Sequence, residues 1–330
     1  MRERRDFLKF FLFGSFFLFN YRISRAIEKQ RNTKILSSNI FKKFVINENH
    51  PERPDRIEFI KKLIKDSKLE NIYENYESYN NVENWIELIH SREHINSLKA
   101  NFPLAENVSR HAVCICLEGV DRIMMKKNRN IFCATRPPGH HALNTGKHEG
   151  FCFYNNVAIA AKYIQNKYNL SKILIVDWDY HHGNSTEYFF YDDPSVLFFS
   201  THDQFAYPGT GSPDKVGKGA GKGLNINIHL PCNTSNKQII EVFKKILIPK
   251  VNKFKPDFIL ISSGFDSRVD DLLGCYKVTD EGFIELTKII KNLAHIHCSD
   301  RILSILEGGY NLQGNAKATI AHVKELNNFN

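Results

Sequence analysis

Lys172-Ile-Leu-Ile-Val-Asp177-Trp-Asp179-Tyr-His181-His182-Gly-Asn184 reads as a buried strand that runs straight into a cluster of polar side chains. Ile173–Val176 has no polar alternation, so this strand has no solvent face and belongs in a parallel sheet covered on both sides. Asp179 and His181 stand two residues apart, which in extended backbone sends both side chains off the same face. Further apolar runs lie at Asn130–Thr135, Val196–Ser200, Leu224–Leu230, Asp257–Ser262 and Arg301–Leu306. Stretches with a period of 3.6 separate several of them: Ala158–Tyr168, Lys237–Phe254 and Gly282–Ala294. Residues 50–130 read as mainly helical, with Pro51 and Pro54 near a start and Pro103 as a break. Strand and helix in alternation predict an α/β chain with a parallel sheet.

In open parallel sheets the chemistry gathers at the carboxyl ends of the strands. Four polar clusters follow predicted strands: Arg136-Pro-Pro-Gly-His140-His141, Asp177 to Asn184, Gly264-Phe-Asp266 and Glu307-Gly-Gly-Tyr310. Four clusters at four strand ends predict one site. Asp179, His181 and Asp266 supply three N/O ligands for a catalytic divalent metal with a position left open. An isolated Asp-x-His is usually a structural pair, and an Asp that ends a strand is often a helix cap. Two such signals beside a His–His pair point the other way. His140 and His141 suit either ligation or acid–base work near neutral pH. Asp177 and Asn184 can accept ring N–H bonds and set tautomer and orientation. Tyr310 suits either packing or donation to a developing oxyanion.

Composition excludes other classes. With 42% hydrophobic and 25% charged residues in 330, the chain is neither collagen-like nor mostly disordered. Of the net +9, residues 1–34 carry +6, so the body is near neutral and no nucleic-acid binding is expected. That start joins Arg2, Arg4 and Arg5 to the apolar run Phe10–Phe19, which is too short to span a bilayer and predicts an organelle-targeting extension over 1–32, with an untargeted extension or a membrane anchor as the alternatives. Residues 33–330 then form a single domain. Seven scattered cysteines without a C-x-x-C pair predict a reducing compartment and no disulfide.

Arg136-Pro-Pro-Gly-His-His, Gly150-Phe-Cys-Phe-Tyr-Asn-Asn, Asp177-Trp-Asp-Tyr-His-His-Gly-Asn, Gly264-Phe-Asp and Glu307-Gly-Gly-Tyr-Asn resemble the zinc-dependent histone deacetylase family. Asn49-His-Pro-Glu-Arg-Pro-Asp-Arg-Ile57 resembles its N-terminal signature, and the motif style is similar to the class II and bacterial or plastid-type branch. The resemblance implies the arginase/deacetylase fold, an open parallel sheet of about eight strands with helices on both faces. It implies one catalytic zinc on Asp179, His181 and Asp266. His141 becomes general base and then acid, His140 its electrostatic partner, Asp177 the partner of His140, and Tyr310 the oxyanion donor. Asn184 stands where some branches have Asp. A structural potassium ion is implied at Asp177, Asp179, His181, Ser200 and Thr201. Gly150, Phe151 and Tyr207 are implied as channel walls, with Leu273 where acetylpolyamine-selective relatives place a Glu.

The expected substrate is acetyl-lysine in proteins, with small N-acetylated amines or acetylpolyamines as the alternative and a non-catalytic acetyl-ligand binder as a second. A binuclear manganese hydrolase wants a carboxylate two residues after Asp266, where Arg268 stands. The Gly-rich loop 209–223 lacks P-loop spacing. His182, His202, Asp192 and Asp193 read as structural or solvated.

Overall fold

The computed structural model describes residues 33–77 and 81–328. The expected extension over 1–32 lies outside them. Eight strands form one sheet: β1 (Lys34–Ser37), β2 (Tyr73–Asn75), β3 (Asn130–Cys133), β4 (Ile173–Asp177), β5 (Val196–His202), β6 (Asn225–His229), β7 (Phe258–Ser263) and β8 (Ile302–Leu306). Their order is β2-β1-β3-β8-β7-β4-β5-β6, and every pairing is parallel. β3, β4, β5, β7 and β8 are buried at every residue, as their mainly apolar sequences favour.

Helices Pro103–Met124, Asn156–Tyr168 and Asn184–Phe190 pack on one another. Asp55–Asp66, Asp280–His297 and Leu312–Asn327 form a second packed group. No helix among the described residues is long and apolar enough to cross a membrane. The chain is α/β, built on one parallel sheet of eight strands, as the resemblance implies.

Because all strands run the same way, their carboxyl ends share one edge. β7 and β8 insert between β3 and β4, so the four clusters that follow these strands lie side by side. Along the chain they are spread from Arg136 to Tyr310. Topology brings them together.

Three features depart from the sequence reading. β1 and β2 were not expected; β2 is a three-residue edge strand, Tyr-Glu-Asn, with no apolar pattern to betray it. The predicted helix over Lys237–Phe254 is split by a π-turn at Phe243–Leu247. Pro249, just beyond it, lacks the N–H that a regular helix would donate to Lys245, so the turn widens there. Cys232 and Cys275 form a disulfide, with Cα atoms 5.2 Å apart, which corrects the expectation of none. The pair is 43 residues apart in sequence and meets because Asn233 N donates to Cys275 O (2.8 Å) and Lys277 N to Thr234 O (2.8 Å). The other five cysteines are buried and outside any disulfide.

Candidate active site

The segment after β3 carries His140 and His141 into the sheet edge. Glu307, at the end of β8, accepts Gly139 N (2.6 Å) and His140 N (3.2 Å) on one oxygen, Oε2, and fixes the backbone of the pair. His140 Nδ1 donates to Asp177 Oδ2 at 2.9 Å. Burial disfavours the His140 cation, yet Asp179 and Asp177 hold its pKa well above the usual imidazole range. His141 Nδ1 donates to Asn184 Oδ1 at 2.6 Å. Burial, His140 and His181 together hold His141 well below that range. The adjacent rings therefore differ in charge: His140 is a cation and His141 is neutral. Because Asn184 takes the Nδ1 proton, the Nε2 lone pair of His141 is open to accept one.

Asp179, His181 and Asp266 converge with one ligand atom each, all within 4.8 Å of one another. His181 Nδ1 lies 3.1 Å from Asp179 Oδ1 and 3.0 Å from Asp266 Oδ2. Both carboxylates are fully buried. Burial and Asp179 push Asp266 up to about 7, while the two carboxylates overcome burial to push His181 up to about 10. The cluster thus binds positive charge, as protons or as a metal ion. Gly308 packs against it so closely that an added Cβ would lie 2.1 Å from Asp266 Oδ2 and 2.7 Å from Asp179 Oδ2. Two buried carboxylates and one imidazole are a donor set that fits a divalent zinc ion.

Tyr310 is buried next to this cluster. Burial pushes its phenol well above the ordinary value, against the pull of Arg56, so the hydroxyl keeps its proton and can donate it. Arg56 stacks over the Tyr310 ring at 5.0 Å and donates to Gly309 O (2.8 Å) and to Glu307 O. Glu52 in turn sits between Arg56 and Arg136, taking a two-pronged bond from Arg136 at 2.9 and 2.6 Å. Sequence reasoning quoted the stretch that holds Glu52 and Arg56 without giving either a role. The only hint was a charged pair beside motifs that enter a buried edge.

Gly150, with φ +51°, wedges between His141 and Tyr207; a Cβ there would lie 2.3 Å from His141 Cδ2 and 2.9 Å from Tyr207 Cε1. Tyr207 meets His141 edge-on at 4.9 Å and is 48% exposed, so it forms a wall open to solvent. Phe151 meets Tyr310 at 6.1 Å and His50 at 4.4 Å. Leu272 and Leu273 line a cleft of about 610 Å³ with His50, Pro51 and Tyr310. The residues expected as channel walls are thus brought around His141 and Tyr310.

Of the potassium set, Asp177 pairs with Ser200 across β4 and β5, and Thr201 follows. The buried Thr201 Oγ1 has no hydrogen-bond partner. His182 bonds Thr210 Oγ1 (2.8 Å), and His202 bonds Ser200 Oγ (2.9 Å) and Gly211 O (3.0 Å). Asp193 pairs with Lys162 at 2.6 Å, and exposed Asp192 lies 3.6 Å from Lys218.

The histone deacetylase domain model matches residues 50–326. The chain is 35% identical to histone deacetylase 6 of Caenorhabditis elegans over 312 residues, which is 85% of this chain and 32% of that protein. It is 44% identical to the chloroplastic histone deacetylase 14 of Arabidopsis thaliana over 182 residues, 55% of this chain and 43% of that one. The chain therefore spans less than half of the length of either relative. The solved HD domain of HDA15 superposes with a TM-score of 0.83 at 31% identity, covering 90% of this chain and 88% of that one. With a family model matching most of its length and every motif of the site gathered at one sheet edge, the chain belongs to the histone deacetylase family.

Proposed function

We propose that the chain is a zinc-dependent deacetylase that hydrolyses N-acetyl-lysine in proteins. The observation that carries this reading is the placement of a neutral His141 and an un-ionised Tyr310 beside the Asp179–His181–Asp266 triad. Those three residues would hold zinc, which when bound supplies Lewis-acid polarisation of the amide carbonyl and of the attacking water. His141 Nε2 takes the proton of that water as the new C–O bond forms. The Tyr310 hydroxyl donates to the oxygen on which charge develops. As the C–N bond breaks, His141 returns the proton to the amine nitrogen, leaving acetate and a free amine. The His140 cation, held by Asp177, keeps His141 from protonating prematurely. The buried, unpartnered Thr201 hydroxyl supports a structural potassium ion beside Asp177, Asp179, His181 and Ser200.

Asn184 tunes the base. A carboxylate in its place would favour the His141 cation, so Asn184→Asp is expected to raise the pKa of His141. Catalysis needs the neutral ring and is lost as pH falls through that pKa. The acid limb of kcat/KM therefore moves to higher pH, which a pH profile of both proteins measures. An unmoved limb contradicts the role given to His141.

The apolar mouth supports acetyl-lysine over a polyamine. Leu272 and Leu273 are 66% and 40% exposed and offer no charge to a second ammonium. A polyamine deacetylase of Danio rerio is 40% identical over 64% of this chain, which makes acetylpolyamines the alternative to test. On the zinc-loaded chain, kcat/KM for an acetyl-lysine peptide is expected to exceed that for an N-acetylated polyamine by about tenfold, or 1.4 kcal/mol. Equal or reversed values overturn the substrate assignment. Tight peptide binding without turnover would favour a binding protein instead.

The basic, Phe-rich residues 1–32 suit an organelle-targeting extension ahead of a catalytic domain over 33–330. The chloroplastic relatives of Arabidopsis thaliana and Oryza sativa support a plastid-like destination.

A further inference from the structure

Tyr310 lies in a stretch without regular structure. β8 ends at Leu306 and the next helix begins at Leu312, while Gly309 between them has φ +119°. No ladder holds the phenol in place, so its position depends on what grips residues 307–311. Backbone bonds hold the start of this stretch, Glu307 N to Ser263 O (3.3 Å) and Phe265 N to Gly308 O (3.0 Å). Of the side-chain grips, two come from parts of the site already described: Arg56 on the carbonyls of Glu307 and Gly309, and Asp179 Oδ2 on Gly308 N at 2.9 Å. The third is Asp271. Its Oδ2 accepts Tyr310 N at 2.6 Å and Asn311 N at 3.0 Å, and its Oδ1 accepts Leu273 N at 2.9 Å. Asn311 Nδ2 adds a return bond to Asp270 O at 2.9 Å. The loop that carries Asp271 is itself anchored, by Arg268 to Asp280 at 2.9 Å and by Gly274 against the Asp266 carbonyl.

We infer that Asp271 is a positioning residue for the reaction, whose carboxylate ties the backbone of the oxyanion donor Tyr310 to the channel-mouth loop that carries Leu273. The inference rests on the deacetylase reading above. Asp271 takes no part in the chemistry and is not one of the converging metal-binding groups. A carboxylate that accepts three backbone N–H groups is a stronger tether than an amide or hydroxyl side chain. Releasing it lets Tyr310 drift, and a misplacement of about 1 Å at a reacting group costs on the order of 10²-fold in rate. Because Leu273 hangs on the other oxygen of the same carboxylate, the substrate mouth and the oxyanion donor move as one unit.

The test is steady-state kinetics of the zinc-loaded full chain on an acetyl-lysine peptide, for wild type, D271A, Y310F and D271A/Y310F, with zinc content measured for each. D271A is expected to lower kcat by about 10- to 100-fold with KM within about threefold of wild type. Its effect should vanish once the phenol hydroxyl is gone, leaving the double variant within about twofold of Y310F alone. A role in general stability would instead lower Y310F by the same factor as wild type, and that additive result overturns the inference. So does a D271A chain with wild-type kcat. Should D271A fail to fold, D271N keeps one acceptor oxygen and serves in the same cycle, with an expected loss of about three- to tenfold in wild type and none in Y310F. Wild type without turnover overturns the deacetylase reading, and this inference with it; turnover with additive losses overturns the inference alone.

Discussion

His141→Ala is expected to lower kcat on an acetyl-lysine peptide by about 10²- to 10⁴-fold, the range that a positioned general acid–base supplies. The expectation follows from what surrounds the ring. Burial, His140 and His181 keep it neutral, and Asn184 Oδ1 occupies its Nδ1 proton at 2.6 Å, so Nε2 is the free basic nitrogen. No neighbour can replace it: His140 is committed to Asp177 at 2.9 Å and held as a cation. Zinc content should be unchanged, because His141 is not in the converging triad. Stopped assays on zinc-quantified protein measure both quantities. A variant within tenfold of wild type would remove His141 from the reaction.

Asp266→Ala strikes the other half of the site. It removes one of two buried carboxylates and leaves Asp179 and His181 as an incomplete pair. Zinc content of the purified variant should fall well below that of wild type. Activity should fall with it by at least about 10³-fold, equivalent to about 4 kcal/mol of transition-state stabilisation. Excess zinc should recover little of it. The variant is also expected to fold, because burying the Asp266 carboxylate is unfavourable, as its rise to about 7 records. Thermal unfolding alongside metal analysis separates loss of metal from loss of fold. Full activity in a zinc-poor variant would contradict the assignment of Asp266.

How much of this was legible in the chain varies with how local each feature is. The run Ile173–Val176 reads as a buried parallel strand because nothing in it needs water, and six of the eight strands were placed by the same signal. The rule that chemistry collects at strand ends then selected four clusters, and the order β3-β8-β7-β4 put all four side by side. Long-range pairings outside those clusters were not legible. Glu52 meets Arg136 over 84 residues, Asp271 meets Tyr310 over 39, and Cys232 meets Cys275 over 43. Each is a consequence of the finished fold, and no spacing in the sequence encodes it. The edge strand Tyr73–Asn75 was invisible for the opposite reason: being half wet and three residues long, it needs no pattern of its own.

Under the proposed function, this chain is a zinc deacetylase whose metal sits on Asp179, His181 and Asp266. Stripping the full chain with a chelator, then titrating zinc back while following acetate release from an acetyl-lysine peptide, tests it most directly. Turnover should vanish on stripping and return in proportion to zinc, reaching its plateau at about one ion per chain. Turnover that survives complete removal of metal, or a chain that binds one zinc and releases no acetate, would contradict it.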